Sequence, residues 1–531
     1  MSDFAVGLKA SRFWTLGLAL AVATWPLTTV SPFSVGLDPS WAAMLHYAAV
    51  HGMNHGDEIS YTYGPLGFLA IPKLFYPITG ALAFGFTLLV RTVLATMLLK
   101  AVRLSFGWAW AITLAGLILG LTADVTDAMA LIIVFGVVAA IDGRCSPSSG
   151  RWVIPLAGLF TTLSLQTKFN IGLFAVVLLP IGVWFVSPYR WKSERWYWLS
   201  VGVSFPLLWL ATGGNILNIP WWIHDSLQFA SGYSDGGLFN DPVRDWELTA
   251  FAGIVVFSGA MLHHIAGRWE RRQQVALVAA LGFFVFSYFK HGFVRHDVFH
   301  SPSTFLILAA LPLTLVWVGR QRFLVLAVVF GAVWVTVAAG GTTLRDTFLP
   351  PLADAGRFVD QAVAMVTPAS RSRTVATAKQ DMRELLAPDP VTLALIEGRP
   401  VHVEPHETSL VWLYDLRWRP APIFQSYAAH TAALDTRNAR LLMSSRAPER
   451  ILRHWLPTRI NNRLPEGDSP AYTMALVCNY REARATPDWQ VLERQAARCG
   501  PERKIGSIAA RNGDIITLPP RSTPTSLTYI R

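Results

Sequence analysis

Residues 79–99 read TGALAFGFTLLVRTVLATMLL, a stretch with one charge, Arg91, and no acid. About 20 residues at ~1.5 Å rise each span the ~30 Å hydrocarbon core of a bilayer, so this stretch predicts a membrane-crossing helix. Helix is the required conformation there, because lipid offers no hydrogen-bond partner to backbone N–H and C=O groups. Comparable apolar runs lie at 13–30, 107–123, 128–141, 152–167, 170–187, 197–212, 247–263, 275–289, 299–318 and 323–340. Together they predict an α-helical polytopic membrane domain of about eleven spans over residues 1–340.

The composition agrees. Hydrophobic residues make up 52% of the 531 and charged residues only 15%, against roughly 25% in soluble domains. Tryptophan, at 21 residues, suits the membrane–water interface. The net charge of +11 does not read as nucleic-acid binding: no such motif is present, and the cations before Gly340 sit mostly in short loops. With the N-terminus inside, fourteen of those cations, from Lys9 and Arg12 to Arg320 and Arg322, face the cytoplasm. Only five, Lys73, Lys168, Arg244, Lys290 and Arg295, face the other side. That asymmetry sets the orientation. It places a first external loop at 31–78, the loop around Lys290–Asp297 and everything after Gly340 outside. Lys9 and Arg12 before Ala21-Val22-Ala23 also fit a cleaved signal peptide, but the apolar run continues to Val30 and favours an uncleaved helix. Arg91, well inside its span, either faces the bundle interior or snorkels.

Beyond Gly340, Pro350-Pro351 opens a charge-rich segment. Residues 341–531 are expected to form a soluble extracytoplasmic domain, α/β or mostly β. It should hold an amphipathic helix at 353–366 and strands at Val401–Val403, Met474–Cys478, Trp489–Leu492 and Asp514–Leu518. Cys478 and Cys499 lie in this domain as either a disulfide pair or two free thiols, while Cys145 falls in a cytoplasmic loop.

The first external loop holds the densest chemistry. Gly36-Leu37-Asp38-Pro39-Ser40-Trp41 is followed by an apolar and aromatic stretch to His51, then by Gly56-Asp57-Glu58-Ile59-Ser60-Tyr61-Thr62-Tyr63-Gly64-Pro65-Leu66-Gly67. Pro39 and Ser40 suit a helix start, and residues 40–51 suit a helix lying in the membrane interface. Asp38 at the mouth of the bundle suits a general base; the alternative is that it only caps the helix after it.

A first helix, an acid straight after it, a short helix and a Gly/Pro-rich turn before the second span resemble the GT-C superfamily of membrane glycosyltransferases, which use polyprenyl-phosphate-linked sugars. The resemblance implies that Asp38 is catalytic base or metal partner, with Asp57 and Glu58 as a second acidic pair. Tyr61, Tyr63, Gly64 and Pro65 stand where that family has its turn. The family usually shows a paired acidic motif, whereas Asp38 is single and followed by Pro39. A divalent cation is therefore possible but no cofactor is certain. Gln166-Thr167-Lys168-Phe169-Asn170 is similar to the family's lysine-bearing turn facing the lipid phosphate; an interfacial lysine among headgroups is the other reading.

Lys290-His291-Gly292-Phe293-Val294-Arg295-His296-Asp297, with His300 beyond, is dense in charge between two apolar spans. Lys290 and Arg295 suit a phosphate or diphosphate. His296 and His300 are spaced to share one helix face, as a metal site or, more often, as an interface hydrogen-bond cluster. Trp221, Trp222, His224, Asp225, Tyr233, Asp235 and Gly236-Gly237 read as a loop, suited to sugars or to an interface belt. His402, Glu404 and His406 alternate and are expected on a polar surface. No P-loop, dinucleotide fingerprint, His-Glu-x-x-His or Gly-x-Ser-x-Gly motif is present.

The expectation is an inverting glycosyltransferase of the bacterial inner membrane, serving the cell envelope. A polyprenyl-phosphate-linked sugar is the donor, and a glycan, lipid or protein is the acceptor. Asp38, Asp57 and Glu58 form its catalytic set, with Lys168, Lys290, Arg295, His296, Tyr61 and Tyr63 on the donor. The alternatives are a transporter, flippase or glycan polymerase without this chemistry, or an assembly protein acting through its exported domain.

Overall fold

A computed structural model describes residues 2–26, 33–145, 150–341, 351–455, 469–500, 503–511, 514–520 and 523. The end of the first apolar run, Val30, and Pro350 lie outside them. In chain order the helices of the first part are α1 (Ser2–Ala23), α2 (Leu37–Val50), α3 (Pro77–Ser105), α4 (Trp108–Leu121), α5 (Val125–Ile141), α6 (Gly150–Thr167) and α7 (Phe169–Val186). They continue as α8 (Arg190–Ala211), α9 (Ile219–Gly236), α10 (Trp246–Ile265), α11 (Arg271–Val294), α12 (Ser301–Ala310) and α13 (Gln321–Ala339).

Every apolar run carries a helix, but eleven crossings are not what the described residues show. Five helical stretches are long and apolar enough to cross a membrane: Pro77–Ser105, Phe169–Val186, Pro242–Arg268, Arg271–Val294 and Gln321–Ala339. A sixth crossing is counted if α8 and the helix after it, bent by 113° at their break, act as one span. The others are short. The run at 299–318 stops as α12 and a 3-10 turn containing Pro312, which cannot continue a helix. The stretch read as a loop before α10 instead holds α9, started by Pro220 at its first turn.

Arg91 meets the ends of two of the helices. Its side chain is fully buried and faces the bundle interior. It donates to the Thr24, Leu119 and Thr122 carbonyls, at the C-terminal ends of α1 and α4. Carbonyls at a helix C-terminus run short of backbone donors, although the Leu119 carbonyl also accepts from Thr122 N–H at 3.1 Å, and a guanidinium supplies five donors and a charge of the sign a helix C-terminus favours.

The second part begins with α14 (Pro351–Val366), as its amphipathic pattern predicts, and α15 (Pro368–Leu385), α16 (Pro390–Ile396), α17 (Ser409–Tyr414), α18 (Ala432–Met443) and α19 (Pro470–Asn479) follow. After the two-residue β1 (Phe239–Asn240) and β2 (Arg295–His296), the C-terminal strands are β3 (Val401–Glu404), β4 (Arg450–His454), β5 (Tyr480–Ala485) and β6 (Trp489–Arg494). They form a four-stranded sheet in the order β3-β4-β6-β5, with β3 and β4 parallel and the other pairs antiparallel. The C-terminal part is thus α/β. Two expected strands are absent. Met474–Cys478 lies in α19, where Tyr472, Ala475, Leu476 and Asn479 are buried at helical spacing. Asp514–Leu518 joins no strand pairing among the described residues, and Ile515 is exposed. Cys478 and Cys499 form a disulfide.

The first loop belongs to this C-terminal part as much as to the bundle. Met44, Leu45 and Tyr47 of α2 share one core with Val401, Leu410 and Trp412. The Tyr47 and Trp418 rings meet edge to face at 5.5 Å. The helix expected at the interface thus packs most of its residues against protein. Its aromatic and aliphatic face finds α17 as a partner.

Candidate functional site

Asp38 stands in the first turn of α2. Gly36 holds the N-cap position with φ +109, a conformation that favours glycine. The Asp38 carboxylate is not a cap. It is exposed and accepts from Trp41 Nε1–H at 2.8 Å. The Trp41 ring stacks on Tyr63, centroids 4.8 Å apart, and Tyr61 lies 5.9 Å away. Asp38 is within electrostatic reach of Tyr61, Tyr63 and Lys73. Burial lowers the Lys73 pKa and Asp38 opposes that.

The Gly/Pro turn runs against the Lys168 break. Lys168 is extended between α6 and α7, and its backbone bridges Tyr63. Phe169 N–H donates to the Thr62 carbonyl at 3.0 Å, and Leu66 N–H to the Gln166 carbonyl at 2.9 Å. The approach is close enough that a Cβ on Gly64 would fall 2.6 Å from the Gln166 carbonyl oxygen, which only glycine allows. Lys168 Nζ then sits 5.0 Å from the Tyr63 ring centre, 3.4 Å from Thr126 Oγ1 and 4.0 Å from Asp124 Oδ2. Burial opposes the ammonium charge, but Tyr63, Asp124 and Asp127 outweigh it and raise the Lys168 pKa. Burial pushes the Tyr63 phenol up to about 12. Asp127 accepts from Tyr288 OH at 2.9 Å and Ser303 OH at 3.1 Å.

The loop after α11 closes the group. Arg295 Nε pairs with Asp297 at 3.0 Å, and His300 Nδ1 meets the same carboxylate at 2.8 Å. Burial alone would raise the Asp297 pKa; His300, the Phe299 N–H and Arg295 bring it well below the usual carboxylate range. Tyr233 of α9 is within electrostatic reach of Arg295, Lys168 and Asp297, and His291 of Lys168, His300 and Asp297. The sequence spacing misplaces two neighbours. His296 lies on β2 and bonds Asn240 and Glu247, while His300 precedes α12, so they share no helix face. Lys290 is exposed on α11. Among the described residues no three His, Cys, Asp or Glu side chains cluster as metal ligands.

The second acidic pair lies elsewhere. Asp57 forms a bidentate ion pair with Arg446 at 2.9 and 3.0 Å, and Glu58 accepts from Asn54 N–H at 2.8 Å. His402, Glu404 and His406 are buried, against the expected polar surface, because β3 packs on both faces. Glu404 pairs with Arg453 and accepts from Tyr472 OH. Asp124, Asp127, Tyr288 and Lys73 belong to the site's surroundings and were not singled out from sequence. For Asp124 and Asp127 the available signal was two acids opening an apolar helix; for Tyr288 and Lys73 there was none short of the fold. Protein-family models, curated proteins and solved structures give no match to this chain.

Proposed function

We propose that the chain is an inverting glycosyltransferase that takes a sugar from a polyprenyl-phosphate donor. The observation that carries this reading is convergence. Asp38, Lys168 and Arg295 come from three distant segments, yet Tyr63 neighbours both Asp38 and Lys168, and Tyr233 both Lys168 and Arg295. A base and two cations linked through shared tyrosine neighbours suit transfer from a phosphate leaving group. Asp38 takes the proton of an acceptor hydroxyl, whose oxygen attacks the anomeric carbon. The bond from that carbon to the phosphate oxygen breaks, and the electron pair leaves on the phosphate. Lys168 and Arg295 stabilise that charge. The cation asymmetry of the loops and the Cys478–Cys499 bridge favour the extracytoplasmic face of a bacterial inner membrane. Both terminal nitrogens of Arg91 are taken up by helix-end carbonyls, a structural role that lends no support to a transport pathway.

The test is sugar transfer by purified protein from polyprenyl-phosphate sugars. Asp38→Asn should lower kcat by roughly 10²–10⁴-fold, the usual worth of a general base. An Asn variant as fast as wild type removes Asp38 from the role, and no turnover with any such donor overturns the reading.

A further inference from the structure

We infer that Glu407, from the C-terminal part, is a positioning residue for Asp38; this rests on the reading of Asp38 as the base. Helix α2 begins at Gly36, which has no side chain with which to cap its own first turn. The acceptor comes from 371 residues away: Gly36 N–H donates to Glu407 Oε2 at 3.1 Å. Ser40 Oγ reaches the same oxygen at 3.4 Å and Ser409 Oγ at 3.2 Å. Gln425 Nε2 adds a bond to the Leu37 carbonyl at 3.2 Å.

Gly36 and Ser40 flank Asp38 on either side. Ser40 is fully buried and Asp38 exposed, so they lie on opposite sides of one turn. A buried carboxylate gripping the inner side therefore fixes where the outer side aims. Negative charge at a helix N-terminus is favourable, and His406 Nε2, 3.4 Å from Glu407 Oε1, shares the burden of burying it. The C-terminal part thereby sets the geometry of the base, and a shift of about 1 Å there costs on the order of 10²-fold in rate.

The experiment uses the full-length protein with Glu407→Gln, which keeps the size and loses the charge. Expected are a kcat lowered by about 10–100-fold, a donor KM changed less than about threefold, and faster amide hydrogen exchange over residues 36–41. Arg446→Ala, which breaks a different first-loop contact, at Asp57, should stay within about twofold of wild-type kcat. A Gln variant with wild-type kcat, or exchange over 36–41 unchanged, overturns the inference. If wild type transfers no sugar, the functional reading fails, while the exchange measurement still decides whether Glu407 holds α2. Where the Gln variant does not accumulate, Glu407→Asp moves the carboxylate back by one methylene. A lowered kcat at unchanged donor KM then supports the role, and a wild-type kcat removes it.

Discussion

At the scale of single residues, burial decides what a polar side chain does, and neighbours in sequence say little about it. Asp38 and Glu407 are both carboxylates at the start of α2, yet one faces out to Trp41 and the other is sealed behind Gly36 and Ser40. His402 is the sharpest case. It is fully buried on β3, and neither ring nitrogen has a hydrogen-bond partner among the described residues. Burial lowers its pKa from 6.5 to about 4. The unfolded chain therefore takes up the proton first. Stability is intact above the unfolded pKa and falls as pH drops from 6.5 toward about 4, by up to about 3 kcal/mol. His402→Leu should flatten that slope, raising the melting temperature more at about pH 5 than at about pH 8. Parallel pH profiles for wild type and variant would show that His402 is not the titrating group. The alternation of His402, Glu404 and His406 was legible in the sequence; that the strand packs on both faces was not.

At the scale of elements, the apolar runs marked the helices correctly but not their lengths. Pattern tells where lipid-compatible sequence lies. It does not tell where a helix stops when its end is capped from another helix. Arg91 makes the point, since the carbonyls it serves belong to α1 and α4, 67 and 28–31 positions away. Arg91→Leu should leave the Thr24 and Thr122 carbonyls short of a donor and cost about 2–3 kcal/mol, read as a lower melting temperature in detergent. Arg91→Lys, with a charge but fewer donors, should fall between. A Leu variant as stable as wild type would show that these ends need no cap. The same blindness led Met474–Cys478 to be read as a strand. Its partner face, buried at helical spacing, is supplied by the fold.

At the scale of the whole molecule, the first loop and the C-terminal part share one core, clasped by Glu407 on Gly36 and by Arg446 on Asp57. Asp225 of α9 adds an ion pair to Arg437 at 2.7 Å. The C-terminal part is further closed by the Cys478–Cys499 bridge across 21 residues, for which chain entropy suggests about 3 kcal/mol. Reduction should lower its unfolding temperature, followed by melts with and without a reductant; Cys478→Ser should match the reduced protein. Equal melts in both states would argue against a stabilising bridge. Sequence by itself determined that much of this chain is apolar enough to suit lipid, that it is helical there, and that its charges divide unequally between loops. It also marked Asp38, Tyr63, Lys168 and Arg295 as unusual for their surroundings. Only the tertiary structure linked these four through shared neighbours, gave Asp57 and Glu58 other partners, and set Glu407 at the start of α2. Composition and period are carried by neighbouring residues, whereas a site is a matter of distance between side chains that the chain itself keeps far apart.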